Sequence, residues 1–387
     1  MTAVSAAGPH PDQPSVPRSA LFTAPGRPRP VARRLAIHNR VVRRIRRFLE
    51  DEGFNEVPVG ALAPVGDACE AMDASFAVDH HGNLAFARQS GQQVLDRMLA
   101  RGFPAVWCEG ESLRREWKVD ERHLSGFKLI EAERRDLDLD GLCALQERLL
   151  KAVALDLGAD LLGGRHVTRL DRMLRPEHPR VTYREALAIL NRRGFAMPFG
   201  EDLHRDAEAA LCRWFGDVPF FITHLPAALK PFNARRDPAD PAQSLSVEYV
   251  TPFAGETMDG AVREPDAAVM RAQLEESDHL RRLLERAAAF AAAQAAVARG
   301  KDRPDPDALA RRNRAAVRRA YADYLQECGR APFDRGGFGL GVARLLQYLQ
   351  GLDSIKDAVV NPTDRTTFAV VGGDEDEDAA TGGAGIA

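Results

Sequence analysis

Cysteine is scarce in this chain, and its few copies form no metal or disulfide pattern. The sequence of 387 residues contains only Cys69, Cys108, Cys143, Cys212 and Cys328, and no pair has the Cys-x-x-Cys spacing. An odd and scattered set of thiols argues against a zinc site or a disulfide framework. It favours reduced thiols, and therefore a cytoplasmic location.

Long hydrophobic runs and a strong charge of one sign are also missing. The nearest approach to a membrane span is the alanine-rich segment 287–298, which suits a packed helix better than lipid. The formal net charge is only −3, so the whole-chain balance does not support a large nucleic-acid-binding surface. We therefore expect neither membrane nor DNA as a partner, while RNA binding stays open.

The composition that is present suits a large folded enzyme. Hydrophobic residues make up 45% of the chain and charged residues 28%, which is enough to bury a substantial core in one or two domains. Residues 1–30 are rich in Pro, Ala and Ser and predict a disordered leader, and residues 371–387 predict an acidic disordered tail. The folded part is therefore expected within residues 31–370.

A glycine-dense segment near the C-terminus predicts a strand that runs into an apolar helix. Gly336, Gly337, Gly339 and Gly341 lie in the strand, and Arg344 lies just inside the helix. Glycines let the backbone approach a ligand closely, and the arginine adds a permanent positive charge. Alone, this pattern is more typical of a packing turn than of a nucleotide site.

A charged hairpin upstream favours the nucleotide interpretation. Residues of β-forming character around Trp107 precede a charged stretch from Arg114 to Arg122, and an extended pattern resumes at Phe127. Arginines suit triphosphate oxygens, a carboxylate such as Glu116 can accept from an adenine amino group, and an aromatic ring can stack on a purine. The two segments together predict an ATP site. The alternative is a solvated charged hairpin.

In their order along the chain, these motifs resemble the catalytic domain of class II aminoacyl-tRNA synthetases of the aspartate, asparagine and lysine branch, most of all the asparaginyl enzymes. The similarity covers residues 33–362. It implies an α+β fold with a class II aminoacyl-tRNA synthetase-type antiparallel sheet flanked by helices. Residues 31–370 would form the catalytic domain, with helical insertions near residues 140–215 and 270–328.

The resemblance also implies a homodimer. Its first motif is a long helix at the dimer interface, and the apolar stripe of Leu35, Val42, Ile45 and Leu49 has the spacing of such a helix. The arginines of this segment are expected on the solvated outer face.

The resemblance assigns the ATP site and its Mg²⁺ position by position. Arg114 matches the arginine that bridges the ATP α-phosphate and the amino-acid carboxylate, and Arg344 matches the arginine on the γ-phosphate, so these two are the catalytic candidates. Glu248 and Glu256 match an acidic pair that holds Mg²⁺, an ion that prefers oxygen ligands. The predicted ATP-binding residues are Arg114, Glu116, Arg122, His123, Phe127, Glu256 and Arg344.

The amino-acid pocket is assigned in the same way. Ser90 and Gln92 match residues that line the amino end of the substrate, although an ordinary turn and helix cap would also explain them. Arg263 matches the arginine that grips the substrate side chain, and Glu131 stands where asparaginyl enzymes carry a glutamate. The predicted amino-acid-binding residues are Glu70, Ser90, Gln92, Glu131, Arg263 and Arg335.

The choice between asparagine and aspartate stays open from the sequence. A side-chain amide offers an acceptor and donors, so Arg263 donating and Glu131 accepting would satisfy an asparagine. Leu95 agrees, because it replaces the lysine with which aspartyl enzymes neutralise their substrate. Arg335 argues for an acidic side chain, because it adds a guanidinium where the family usually has histidine.

Departures from the family pattern bear on the second half of the reaction. Three motif positions differ from the family pattern: Gly60 stands where the family has a proline, Gly126 where it has a glutamate, and Ala343 where it has an acidic residue. Residues 361–363 read Asn-Pro-Thr where the family usually ends in Phe-Pro-Arg. Only low-complexity residues precede the first motif, so no anticodon-reading barrel is expected. We therefore favour a ligase that transfers the activated amino acid to ammonia or another amine. The alternatives are tRNA charging and a non-catalytic paralogue that binds an amino acid or ATP.

Overall fold

The computed structural model describes residues 22–24, 27–28, 30–66, 74–162, 167–297, 304–330 and 332–368. Glu70, Cys69 and the predicted acidic tail lie outside these residues, as does most of the predicted leader. Two short strands lie within the leader region, at Phe22–Ala24 and Arg27–Pro28.

Strands and helices are interspersed along the chain. The strands are β1 (Phe22–Ala24), β2 (Arg27–Pro28), β3 (Asn55–Glu56), β4 (Leu62–Ala63), β5 (Ala77–His80), β6 (Asn83–Ala87), β7 (Ala105–Leu113), β8 (Gly126–Arg135), β9 (Arg180–Thr182), β10 (Phe220–Thr223), β11 (Ser246–Thr251), β12 (Gly255–Val262) and β13 (Arg335–Gly341). The α-helices are α1 (Pro30–Asp51), α2 (Gln92–Ala100), α3 (Leu139–Leu162), α4 (Val167–Met173), α5 (Tyr183–Asn191), α6 (Arg205–Trp214), α7 (Ala267–Glu276), α8 (Asp278–Val297), α9 (Pro306–Cys328) and α10 (Val342–Gln350). None of the described helices is long and apolar enough to cross a membrane.

An eight-stranded sheet is the centre of the fold. Its strand order is β3-β7-β8-β13-β12-β11-β10-β9. The pairs are antiparallel except for β3 with β7 and β9 with β10, at the two edges. The predicted α+β fold, with an antiparallel sheet flanked by helices, is therefore confirmed.

The predicted hairpin and the glycine-dense strand are neighbours in this sheet. The hairpin is β7 and β8, and β13 pairs with β8 so that Gly339 lies opposite Glu131 and Gly337 lies opposite Glu133. Side chains alternate along a strand, so Phe127, Glu131 and Glu133 share one face of β8. The sheet thus places Glu131 and Glu133 beside glycines of β13, where no side chain stands opposite them.

Helix α1 packs on α3 through Ile37, Val41, Ile45 and Leu49, all of them fully buried. Of the predicted apolar stripe, Leu35 is 46% exposed in the single chain. The regular steps from Ile37 to Val41 to Ile45 set the buried face, and Leu35 points away from it because each helical residue turns by about 100°.

Helices α7, α8 and α9 form a second core with β6. Met270, Leu283, Tyr321 and Tyr324 pack there against Phe86. Because α9 also contacts α2, this core lies directly behind the segment that begins at Ser90.

Candidate active site

A cavity of about 360 Å³ brings most of the predicted site residues together. It lies against β8, β12 and β13, and Ala343 and Arg344 at the start of α10 also line it. The predicted residues that line it are Ser90, Gln92, Arg114, Glu116, Arg122, His123, Phe127, Glu131, Glu256, Arg263 and Arg344. Arg114 and Arg344, which are far apart in the sequence, therefore share one cavity.

The two arginines reach the cavity from different elements. Arg114 follows β7, its guanidinium carbon lies 5.1 Å from the centre of the Phe127 ring, and its Nε donates to the Ser112 hydroxyl at 3.3 Å. Arg344 lies in the first turn of α10 and donates from Nη1 to the backbone oxygen of Glu256 at 2.5 Å. Both cations thus line the cavity, where an anionic ligand would be stabilised.

The loop between β7 and β8 is tied to helix α6. Arg122 donates from Nη2 to Glu208 Oε2 at 2.6 Å. Gly255 makes this approach possible, because a Cβ at that position would lie 1.6 Å from Arg122 Nη2. His123 Nδ1 lies 2.7 Å from Asp120 Oδ1. Burial opposes ionisation of Asp120, but the backbone amide of Arg122 and the His123 ring outweigh it and lower the pKa of Asp120.

The predicted metal pair is not brought together at the cavity. Glu256 lines the cavity, but Glu248 does not. Glu248 lies opposite Asp259 across β11 and β12, and Lys230 Nζ contacts both, at 2.8 Å from Glu248 Oε1 and 2.8 Å from Asp259 Oδ1. The sequence interpretation missed Asp259, which lines the cavity as Glu256 does.

The carboxylates at the cavity fit Mg²⁺ that arrives with a nucleotide. No group of three or more His, Cys, Asp or Glu residues stands ready to hold a metal in the part of the chain that the structure describes. Mg²⁺, however, is usually bound through one or two carboxylates together with substrate phosphates and water. Glu256 and Asp259 supply such oxygens.

Ser90 and Gln92 belong to a turn that is anchored on β8. The Ser90 hydroxyl donates to Glu131 Oε1, and the Gly91 amide donates to Glu131 Oε2. The backbone amide of Gln92 donates to the Ser90 hydroxyl at 3.1 Å, so the serine also supports the start of α2. Burial raises the pKa of Glu131, and the hydrogen bonds from Ser90 and Gly91 oppose that rise.

The deep end of the cavity contains a buried ion pair. Arg263 donates from Nε at 3.2 Å and from Nη2 at 2.7 Å to a single oxygen, Glu133 Oε1. Burial raises the pKa of Glu133 to about 7, although the neighbouring Arg263 guanidinium opposes the rise. The sequence interpretation missed Glu133, and its position two residues after Glu131 on the same strand was the available signal.

Arg335 is not among the cavity-lining residues, which corrects the prediction that it contacts the substrate. Its Nε donates to Asp96 Oδ1, and Tyr324 donates to Asp96 Oδ2 at 2.6 Å. Burial works against ionisation of Asp96, but Arg335 overcomes it and lowers the pKa of Asp96. Leu95 is also away from the cavity, in an apolar cluster with Leu99.

Comparisons with known proteins show what this chain is similar to. The family described as "tRNA synthetases class II (D, K and N)" matches residues 26–365. The asparagine–tRNA ligase of Sorangium cellulosum is 28% identical over 349 residues, which are 85% of this chain and 68% of the relative. That of Pyrococcus furiosus is 29% identical over 328 residues, 82% of this chain and 65% of the relative.

Solved structures of tRNA synthetases are also similar to this chain. Asparaginyl-tRNA synthetase from Pyrococcus horikoshii, complexed with asparaginyl-adenylate, superposes with a TM-score of 0.72 at 26% identity, over 87% of this chain and 69% of that protein. An aspartyl enzyme from Entamoeba histolytica shares the fold at 18% identity, with a TM-score of 0.63 over 87% of this chain and 59% of that protein.

Proposed function

Because this chain belongs to the class II tRNA synthetases of the D, K and N group, we propose that it converts an asparagine- or aspartate-like amino acid to its adenylate and transfers the acyl group to an amine other than tRNA. Membership confirms the predicted ATP-dependent, AMP-forming ligase and its cofactors, ATP and Mg²⁺. The observation that carries the proposal is the convergence of Arg114, Arg344, Ser90 and Arg263 on one cavity.

In the proposed first step, a carboxylate oxygen of the amino acid attacks the α-phosphorus in line, and the bond to pyrophosphate breaks. Arg114 would neutralise charge on the α-phosphate, while Arg344 and Arg122 would hold the outer phosphates. Mg²⁺ at Glu256 and Asp259 would neutralise further phosphate charge when bound. Positioning and electrostatic stabilisation are enough for this reaction, so no protein nucleophile is required.

Amino-acid-dependent exchange of pyrophosphate into ATP tests this step. We expect exchange with asparagine, aspartate or a close analogue, and a loss of about 100-fold or more in Arg114→Ala, since removal of one fixed transition-state donor costs that much in other enzymes. Arg318→Ala is the matched control, because Arg318 is exposed on α9 and pairs with Glu275 away from the cavity. No exchange with any of these amino acids would favour the non-catalytic paralogue, and unchanged exchange in Arg114→Ala would remove the assigned role.

Two observations support an acceptor other than tRNA: departures from the family pattern beside the cavity, and the low net charge of the chain. Gly126 stands directly before Phe127, and a Cβ there would lie 3.2 Å from the Thr363 hydroxyl. Ser125 donates its amide to the Thr363 backbone oxygen at 2.8 Å. Two departures from the family pattern, at Gly126 and at Thr363, thus meet beside the loop that borders the cavity. Charging of tRNA is the second candidate, because the relatives are asparagine–tRNA ligases.

Product analysis separates these candidates. Wild-type protein would be incubated with ATP, the activated amino acid and either ammonia or bulk tRNA, and the products separated by thin-layer chromatography. We expect an amide product and AMP with ammonia, and no charged tRNA. A charged tRNA whose yield falls with salt would instead support the aminoacylation function, because phosphate contacts weaken as counterions compete.

A further inference from the structure

A carboxylate holds the ring of the histidine that lines the cavity. His123 Nδ1 lies 2.7 Å from Asp120 Oδ1, and the backbone amide of Arg122 donates to the same oxygen at 2.8 Å. Although burial opposes ionisation of Asp120, these contacts lower its pKa. An ionised carboxylate only accepts hydrogen bonds, so His123 Nδ1 carries a proton and donates it to Asp120.

The other ring nitrogen of His123 is left for a ligand. In a neutral imidazole with its proton on Nδ1, Nε2 has a lone pair. Within the described part of the chain, Nε2 has no hydrogen-bond partner. His123 lines the cavity and Asp120 does not, so the ring is the part of the pair that a ligand would meet. A histidine oriented by a carboxylate in this way can take a proton near neutral pH.

The carboxylates of the cavity are less suited to that task. Those among the described lining residues are Glu116, Glu131, Glu133, Asp202, Glu256 and Asp259. Most carboxylates have a pKa near 4 and are weak bases for an amine. Burial raises the pKa of Glu133 to about 7, but Arg263 holds this side chain in an ion pair. His123 is therefore the best-placed base.

The loop that carries the pair is fixed on both sides of it. The amide of Ile355 donates to the backbone oxygen of Glu121 at 2.8 Å, and the amide of Ser125 donates to that of Thr363 at 2.8 Å. Between these two contacts, Arg122 is bound to helix α6. A general base must be held within hydrogen-bond reach of the proton that it takes, and this loop is held in place by three contacts.

Release of pyrophosphate would make room for the second reaction beside His123. The family resemblance places His123 at the outer phosphates of ATP and Arg114 at the α-phosphate. These outer phosphates leave when the adenylate forms, whereas the α-phosphate and the acyl group stay. A small acceptor in the vacated space would then lie next to the bond that it must attack.

We propose that His123 is the general base of the transfer step and that Asp120 orients it. His123 Nε2 takes a proton from the ammonium form of the acceptor. The neutral nitrogen attacks the acyl carbon, a C–N bond forms, and the C–O bond to AMP breaks with its electron pair leaving on the phosphate. The proton that the nitrogen must then lose goes to water. This assignment rests on the proposed function and names its acceptor class, a small protonated amine.

Aminolysis of the adenylate by two nucleophiles tests this step. Protein would be incubated with ATP, pyrophosphatase and either asparagine or aspartate, and then given ammonium chloride or hydroxylamine near pH 7. Ammonium is mostly protonated at this pH and needs the base, whereas hydroxylamine is mostly neutral and does not. The rates of amide and hydroxamate formation are measured by chromatography of the products.

In Asp120→Asn we expect the ammonia-to-hydroxylamine ratio of rates to fall about 100-fold from the wild-type value, since general bases contribute at least this factor. His123→Gln should lower the ratio as much or more. Asp237→Asn is the matched control, because Asp237 Oδ2 lies 3.9 Å from His224 Nε2 in a second aspartate–histidine pair that does not line the cavity. Its ratio should equal that of the wild type.

A ratio that is the same in the wild type, Asp120→Asn and His123→Gln would overturn the assignment. Loss of hydroxamate in both variants at wild-type thermal stability would also overturn it, because the pair would then act in activation and not in transfer. Failure of the proposed function is seen in the wild type itself, which would then give no hydroxamate, or hydroxamate without any amide. The assignment of His123 would fall with it.

Discussion

At the scale of single residues, an almost fully buried ion pair lies behind the cavity. The Arg335 and Asp96 side chains are 1% and 0% exposed, and Tyr324 adds a hydrogen bond to Asp96. A buried ion pair adds little net stability compared with an apolar replacement, but removal of one partner strands the other charge. This pair therefore holds α2, α9 and β13 in one arrangement.

We expect Asp96→Asn to lower the free energy of unfolding by about 3–5 kcal/mol, because the Arg335 guanidinium would be left buried without its counter-charge. Urea unfolding followed by circular dichroism gives this value. Glu275→Gln is the control: it breaks an ion pair with Arg318 in which both side chains are 52% exposed, and such pairs contribute below about 1 kcal/mol. Equal losses in the two variants would contradict the role given to the buried pair.

At the scale of elements, local patterns were enough for the parts that carry the ATP site. The charged tip of β7 and β8, and the glycines of β13 ahead of Arg344, were predictable because alternation and glycine density are properties of short segments. Their meeting in one ATP site was predicted from the complementary chemistry of the two segments and from the family resemblance, but nothing local specifies that β13 pairs with β8.

The sequence did not predict which residue forms an ion pair with each charged side chain. Arg335 and Glu248 were both expected in the site, but Asp96 and Lys230 come from other elements and engage them. An ion pair across elements depends on the tertiary fold, and a single sequence holds no local signal for it. Glu133 was missed for a different reason, because its strand neighbour Glu131 already satisfied the family pattern.

Helix α6 is expected to tune ATP binding through the loop between β7 and β8. The Arg122–Glu208 pair is mostly buried, with 13% and 14% of the side chains exposed. Glu208→Gln should therefore raise the KM for ATP roughly tenfold with little change in kcat, because a hydrogen bond between charged groups contributes about 1.5–3 kcal/mol and Arg122 would lose its fixed orientation. Initial rates of pyrophosphate exchange at varied ATP measure both constants.

Arg205→Gln provides the comparison for this prediction. It breaks a second contact between the same helix and loop, the Arg205–Glu121 pair, whose side chains are 64% and 56% exposed. Its effect on the KM for ATP should be within the error of the measurement, since exposed pairs contribute little. An unchanged KM in Glu208→Gln would contradict the role given to this pair, and a lower KM would mean that Glu208 competes with the phosphates for Arg122.

At the scale of the whole molecule, helix α1 connects the fold to the homodimer that the family resemblance predicts. The core of the single chain buries the side chains of Ile37, Val41 and Ile45, so they are not available to a second copy. Val31 and Leu35, one helical turn apart, are 57% and 46% exposed. The family resemblance assigns the dimer interface to this helix, so this exposed apolar pair is where a second copy is expected to pack.

We expect the wild-type protein to have about twice its chain mass of 42.4 kDa in light scattering. Leu35→Glu should shift it towards the monomer at low micromolar concentration, because each copy would have to bury a carboxylate at the interface. Val269→Glu is the control, since Val269 is similarly exposed, at 41%, but lies on α7. If Leu35→Glu stays dimeric, or if both variants dissociate alike, the exposed face of α1 is not the surface that joins two chains.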